Sequence, residues 1–336
     1  MDESTGTTQG PVIGRRILLC LDRHPSSEVA VPHAVYLAKT FGGSITLLHV
    51  LRSPRRSAGP PANDALAWEL SRQEALSYLQ KIGAELTQAL GQPVALRLEQ
   101  GRPAERIVDV ARELGADITV LGSGAGGVIL GSTAQQVLAD SRSTILVAHS
   151  STARPVAVKP RRILVPLDGS VRAESVLPAA TRIAQANGAT LLLAHIVQEP
   201  VATAVLDAAE AMELARQLAT WLQAGARIYL DQLRQRLAQD GAAVEVIVAR
   251  HVNDRKSLID IAQNQHADLI VLSAHGAACD SAQSFGGVTD YLVGHTKLPV
   301  LVVQDLPEAA SQHLEEVDTT MRPPSSLRAS YASGIA

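Results

Sequence analysis

Arg15-Arg16-Ile17-Leu18-Leu19-Cys20-Leu21-Asp22 returns 146 residues later as Arg161-Arg162-Ile163-Leu164-Val165-Pro166-Leu167-Asp168. Leu47-Leu48-His49-Val50 returns at the same offset as Leu193-Ala194-His195-Ile196, so Asp and His stand 27 residues apart in both copies. A repeat of this length is domain-sized, so the chain is a fused pair of similar domains and not a solenoid of short units. Two such domains can pack as a pseudo-symmetric dimer within one chain.

Each copy alternates short apolar runs with amphipathic segments. In the first, strands are expected at 17–21, 45–51, 94–98, 118–121 and 145–148. Helices are expected at 26–40, 64–90, 103–114 and 133–140. In the second, strands fall at 163–167, 190–197, 244–249, 268–272 and 299–303, with helices at 171–186, 203–239, 255–264 and 287–294. Strict strand–helix alternation predicts α/β architecture: two tandem doubly wound domains, each a five-stranded parallel sheet with helices on both faces. The expected division is a disordered tail at 1–14, a domain at 15–150, a linker at 151–160 with Pro155 and Pro160, a second domain at 161–305, and a disordered tail at 306–336.

Composition narrows the function. The apolar fraction of 46% is ample for two cores, and with aromatics at only 3% those cores are aliphatic. Few aromatics and a net charge of −3 argue against nucleic-acid partners. No run of 18 apolar residues exists and the start of the sequence lacks signal-peptide character. The expectation is therefore a soluble cytoplasmic protein without a membrane partner. Cys20 and Cys279 fall at unrelated places in the two copies, so no shared disulfide frame is expected.

Ligands of open α/β sheets bind beyond the carboxyl ends of the strands. Asp22 and Asp168 close the first strand of each copy, and His49-Val50 and His195-Ile196 close the second. The loop after the fourth strand is the sharpest signal. In the second copy Leu272 leads into Ser273-Ala274-His275-Gly276, then nine residues, then Gly286-Gly287-Val288 opening a helix. Glycines let backbone amides approach phosphate oxygens, and a helix start adds aligned N–H groups and a positive dipole end. An Asp after a buried strand also serves as a turn residue or helix cap, and glycines also relieve tight turns, so both readings stay open. His275, Cys279 and Asp280 lie close together but lack a second ligand pair with zinc-like spacing, so no metal site is expected. No Walker A motif or nucleophile elbow is present, and no catalytic residue is assigned.

Residues 15–149 and 161–304 each resemble a universal stress protein domain. The nucleotide-binding members of that family carry G-x2-G-x9-G-[S/T] after the fourth strand, an Asp after the first, and a small apolar residue after a His that ends the second. The resemblance implies a pocket for ATP or a related adenine nucleotide, with Mg2+. Pro166, Asp168 and Ile196 would flank base and ribose, and Leu272, Ser273, Gly276, Gly286, Gly287 and Val288 would hold the phosphates. In the first copy it points more weakly to Asp22, Val50, Gly122, Gly131 and Ser132. The second copy departs at both ends of the motif (Ser273 for Gly, Gly287 for Ser/Thr), yet keeps the spacing. In the first copy Gly122 to Gly131 spans 9 positions against 13 from Ser273 to Gly286, so its loop is four residues short and the second copy is favoured. The resemblance further implies pairing of the two copies through their fifth strands, Ile145-Leu146-Val147 and Val300-Leu301-Val302-Val303, with a homodimer of the whole chain as an added option. The expected role is a stress-response regulator with at most weak ATPase activity. The alternative is a scaffold or small-ligand carrier that binds no nucleotide.

Overall fold

A computed structural model describes residues 14–52, 62–123, 130–149, 159–198, 208–251, 254–276 and 285–304. The expected tails, most of the linker and the middles of both glycine loops lie outside these residues.

The first copy runs β1 (Arg16–Cys20), α1 (Pro25–Glu28), α2 (Ala30–Phe41), β2 (Ser44–Arg52), α3 (Ala62–Leu90), β3 (Ala95–Gly101), α4 (Pro103–Leu114), β4 (Ile118–Gly122), α5 (Ser132–Asp140), β5 (Thr144–Ala148). The second repeats it as β6 (Arg162–Pro166), α6 (Val171–Glu174), α7 (Leu177–Asn187), β7 (Thr190–Gln198), α8 (Ala208–Gln239), β8 (Ala243–His251), α9 (Asp254–Asn264), β9 (Leu269–Ser273), α10 (Gly287–His295), β10 (Val300–Val303).

One expectation fails identically in both copies. The helix after the first strand is two helices, α1 with α2 and α6 with α7. Pro32 has no N–H to donate to the carbonyl of Glu28 four residues back, and Pro178 has none for Glu174. The helices α1 and α6 end at those two glutamates. Each glutamate then accepts a tyrosine hydroxyl, Glu28 from Tyr78 and Glu174 from Tyr229, both at 3.0 Å. Proline position, not helix propensity, decides where the short helix stops.

The fifth strands pair as expected, and this fuses the two sheets. The strand order is β3-β2-β1-β4-β5-β10-β9-β6-β7-β8, one ten-stranded sheet. The seam is antiparallel, with Val300 opposite Val147, Leu301 opposite Leu146 and Val302 opposite Ile145. Every β5 side chain is buried, because helices cover both faces there. Alternation along the strands sorts the core into two layers: Ile17, Leu19, Leu146, Leu301 and Leu193 on one face, Leu18, Ile145, Val302 and Leu192 on the other. Both layers run unbroken across the seam. The helices α2 and α7 meet over it, where the Arg182 guanidinium sits 5.3 Å from the centre of the Phe41 ring.

The copies differ where β1 and β6 end. β1 keeps register with β4 through Cys20 and Leu121, whereas β6 pairs with β9 only at Ile163 and Leu164. The Leu167 amide bonds the Ala194 carbonyl on β7 at 2.8 Å, so the backbone nitrogen of Pro166 faces β9. It has no hydrogen to offer there.

Candidate functional site

The crevice lies beyond the carboxyl ends of β1, β2 and β4, where the chain order reverses. In the first copy Asp22 makes an Asx turn: its Oδ1 accepts the His24 amide at 3.0 Å. The second copy repeats this with Asp168 Oδ1 and the Ser170 amide at 2.9 Å, and Ser170 Oγ donates to the same oxygen at 2.6 Å. The residue between has positive φ in each copy: 83° at Gly169 and 66° at Arg23. A non-glycine residue held left-handed costs free energy, and such residues concentrate at functional sites.

His49 and His195 act as latches. The Nδ1 of each lies 2.7 and 2.9 Å from the Leu21 and Leu167 carbonyls and donates to them, tying strand two to the turn after strand one. Burial pushes both imidazoles below the ordinary histidine value, with the carbonyl bond opposing. They are neutral at pH 7, with Nδ1 carrying the proton.

The latch leaves one peptide edge facing the crevice. The Leu21 amide bonds the Leu48 carbonyl at 3.0 Å, the last bond between those segments. Alternation puts the N–H and C=O of Val50 on the same side, beyond the end of β1. Ile196 stands in the same relation to Leu167 and Ala194.

A cavity of about 660 Å³ opens here in the first copy, lined by Cys20, Asp22, His24, Val50, Trp68, Gly122 and Thr133, among others. It brings together Asp22, Val50 and Gly122 of the sequence-selected residues. Gly131 and Ser132 form the start of α5 beside it, with Gly131 as N-cap and no side chain capping that end. Gly122 has a structural task there. A Cβ on it would lie 2.5 Å from Ser27 Cα and 2.7 Å from the Ser26 carbonyl oxygen, so α1 packs on its bare backbone.

The second copy is organised differently. Gly276 carries the Asp168 carboxylate against its backbone, where an added Cβ would stand 2.5 Å from Oδ2. This joins the turn after β6 to the loop after β9. Ser273 turns inward: its Oγ donates to the His275 carbonyl at 2.5 Å and its own carbonyl accepts Thr289 Oγ1 at 2.9 Å. The Gly286 amide is bonded to the Ala274 carbonyl at 2.9 Å, which corrects the expectation that it faces a ligand. The start of α10 remains, at Gly287 and Val288, with Val288 partly buried against the core and Leu272 fully inside it. Pro166 ends β6.

Sequence reasoning missed two features. Trp68 walls the first cavity from α3. Arg255 lies over α10, its Nη2 placed 2.5 Å from where a Cβ on Gly287 would stand. The corresponding residue of the first copy is Ala104, 151 positions earlier, the offset that relates Asp117 to Asp268. A guanidinium beside the helix start in one copy and a methyl group in the other make the two crevices chemically unlike. Comparing the copies residue by residue would have exposed this. Among the described residues no three His, Cys, Asp or Glu side chains cluster as metal ligands, and no helix is long and apolar enough to cross a membrane.

Fold and crevice together define a tandem α/β protein with a topological switch point at the carboxyl edge of each half of its sheet. The chain belongs to the universal stress protein family, whose model matches residues 14–149 and 159–304. Among curated relatives, a universal stress protein of Methanocaldococcus jannaschii is 28% identical over 145 residues, 41% of this chain and 84% of the relative. One from Thermus aquaticus is 31% identical over 142 residues, 40% of this chain and 98% of the relative. Among solved structures, a universal stress protein from Archaeoglobus fulgidus superposes with a TM-score of 0.64 at 18% identity, covering 87% of this chain and 98% of that one. A Pseudomonas aeruginosa protein described as functionally unknown gives 0.58 at 17% identity, covering 91% and 97%.

Proposed function

We propose that this tandem universal stress protein is a stress-response regulator that binds ATP or a related adenine nucleotide, and that the crevice of the first copy is the principal site. The observation that carries this reading is the 660 Å³ cavity at the carboxyl edge of the sheet. Its size falls within the usual range for small-molecule sites, about 300–1,000 Å³. Its polar groups support this reading. The Asp22 carboxylate suits a ribose diol, the open peptide edge of Val50 suits the hydrogen-bonding edge of adenine, and the uncapped start of α5 at Ser132 and Thr133 suits phosphate. Arg23 and Arg52 also line the cavity and supply positive charge. Magnesium would arrive on the phosphate oxygens, since it keeps most of its waters and needs few protein ligands.

The second copy keeps the full-length loop, with Asp168, Ile196 and the start of α10 in the same relation, and adds Arg255. It is the secondary site in this account. A scaffold without nucleotide is the competing reading. Titration of the purified chain with Mg-ATP in a calorimeter, alongside chromatography of the supernatant from acid-denatured protein, separates the two. Saturable heat or co-purified adenine nucleotide supports binding. Neither signal at millimolar ATP leaves the scaffold reading.

A further inference from the structure

The helix α8 carries an apolar stripe that stands exposed among the described residues. Leu214, Trp221 and Ile228 are 58%, 78% and 61% exposed. They stand seven residues apart, and half-buried Leu218 and exposed Gly225 fill the intervening positions. Spacings of four, three, four and three are those of a coiled-coil seam. The stripe lies opposite the side of α8 that faces β7 and β8, which buries Ala219, Ala226, Leu230, Leu233 and Leu237.

The first copy provides an internal control. Tyr78, Leu79, Ile82 and Leu86 of α3 match Tyr229, Leu230, Leu233 and Leu237 of α8 at an offset of 151, so the inward faces agree. On the outward face, Ala67, Leu70, Glu74 and Ser77 stand where α8 has Leu218, Trp221, Gly225 and Ile228. Leu70 is itself exposed, but Glu74 and Ser77 show that the fold needs neither a glycine at 225 nor an apolar residue at 228, and at these positions the tryptophan and isoleucine belong to α8 alone. Gly225 is the most telling. A glycine inside a helix costs about 1 kcal/mol relative to alanine, and a Cβ there would meet nothing within 4 Å. No contact among the described residues explains it. A notch that admits a partner's large side chain does.

We infer that α8 is a self-association surface, on which a second copy of this chain docks its own α8 antiparallel. Charge sets the direction. Residues 208–223 hold two glutamates against one arginine, and residues 224–239 hold three arginines against one aspartate. Antiparallel pairing lays the negative half of each helix along the positive half of the other. A two-fold axis near Gln223 then seats each Trp221 over the partner's Gly225 and sets each Leu218 against the partner's Ile228. This surface is separate from the β5–β10 seam, which is consumed inside the chain.

Sedimentation equilibrium of the full chain over a range of concentrations tests the proposal. The wild type is expected to show a reversible monomer–dimer equilibrium. Trp221→Glu removes an aromatic anchor twice over in a symmetric dimer and is expected to raise the dissociation constant about 1,000-fold. The site is exposed, so unchanged circular dichroism will confirm that the variant folds. As a second readout, Ala224→Cys, exposed beside the stripe, in a background with Cys20 and Cys279 replaced by Ala should be joined to the second copy by a short bis-maleimide cross-linker. A wild type that stays monomeric at every concentration overturns the proposal. So does a dimer that survives Trp221→Glu and fails to cross-link at position 224.

Discussion

His33 makes the stability of this protein depend on pH in a calculable way. It lies on α2, the helix that meets α7 over the seam, and only 6% of its surface is exposed. Burial lowers its pKa from 6.5 to about 4, and its Nδ1 has no hydrogen-bond partner among the described residues. The ring edge meets Tyr36, with centroids 5.7 Å apart. The unfolded chain takes up a proton near pH 6.5 and the folded chain does not until about pH 4, so falling pH favours unfolding across that window. At pH 5 the unfolded imidazole is almost fully protonated and the folded one about a tenth. The resulting loss is about 2 kcal/mol, and at pH 7 it is close to nil. His33→Leu keeps an apolar group of similar size at the position. Urea unfolding of both proteins at pH 7 and pH 5 should show the wild type losing about 2 kcal/mol more than the variant. His49 and His195 shift in the same direction and contribute equally to both proteins, so the difference isolates His33. Equal losses in the two proteins would refute the reasoning.

Gly122→Ala should destabilise the chain by about 1–3 kcal/mol, the usual cost of forced overpacking, because α1 must move away from the new Cβ; thermal melts would read it, and an unchanged midpoint would show that α1 yields freely. The core layers cross the seam without a break, so calorimetry should record one cooperative unfolding transition for both copies, and two resolved transitions would contradict this. Leu146→Ala, at the fully buried centre of the seam, should lower the free energy of that transition by about 3–5 kcal/mol, measurable by denaturant titration.

The architecture was legible because its signals are local and repeated. Ile145-Leu146-Val147 and Val300-Leu301-Val302-Val303 lack the polar alternation of a half-exposed strand, and both turn out to be buried on each face. The breaks after Glu28 and Glu174 were also written in the chain, at Pro32 and Pro178, but periodicity carried the helices across them. The site was harder to read because its chemistry is tertiary. Gly122 reads as a phosphate-loop glycine, yet its bare backbone is required by α1, which contacts it only after β4 is placed between β1 and β5. Loop spacing drew attention to the second copy. The cavity of the first is walled by Trp68 arriving from α3 and by Pro103 and Ile107 from α4. Neither follows from any one segment.

Calorimetric titration of Mg-ATP into Asp22→Ala and Asp168→Ala, side by side with the parent chain, tests the central claim most directly. Loss of charge-assisted hydrogen bonds to a ribose is worth about 1.5–3 kcal/mol, roughly a 10- to 150-fold weaker dissociation constant. The account predicts that weakening for Asp22→Ala at the tighter site, with Asp168→Ala leaving that site unchanged. Full affinity in Asp22→Ala, with the loss appearing in Asp168→Ala instead, would contradict it.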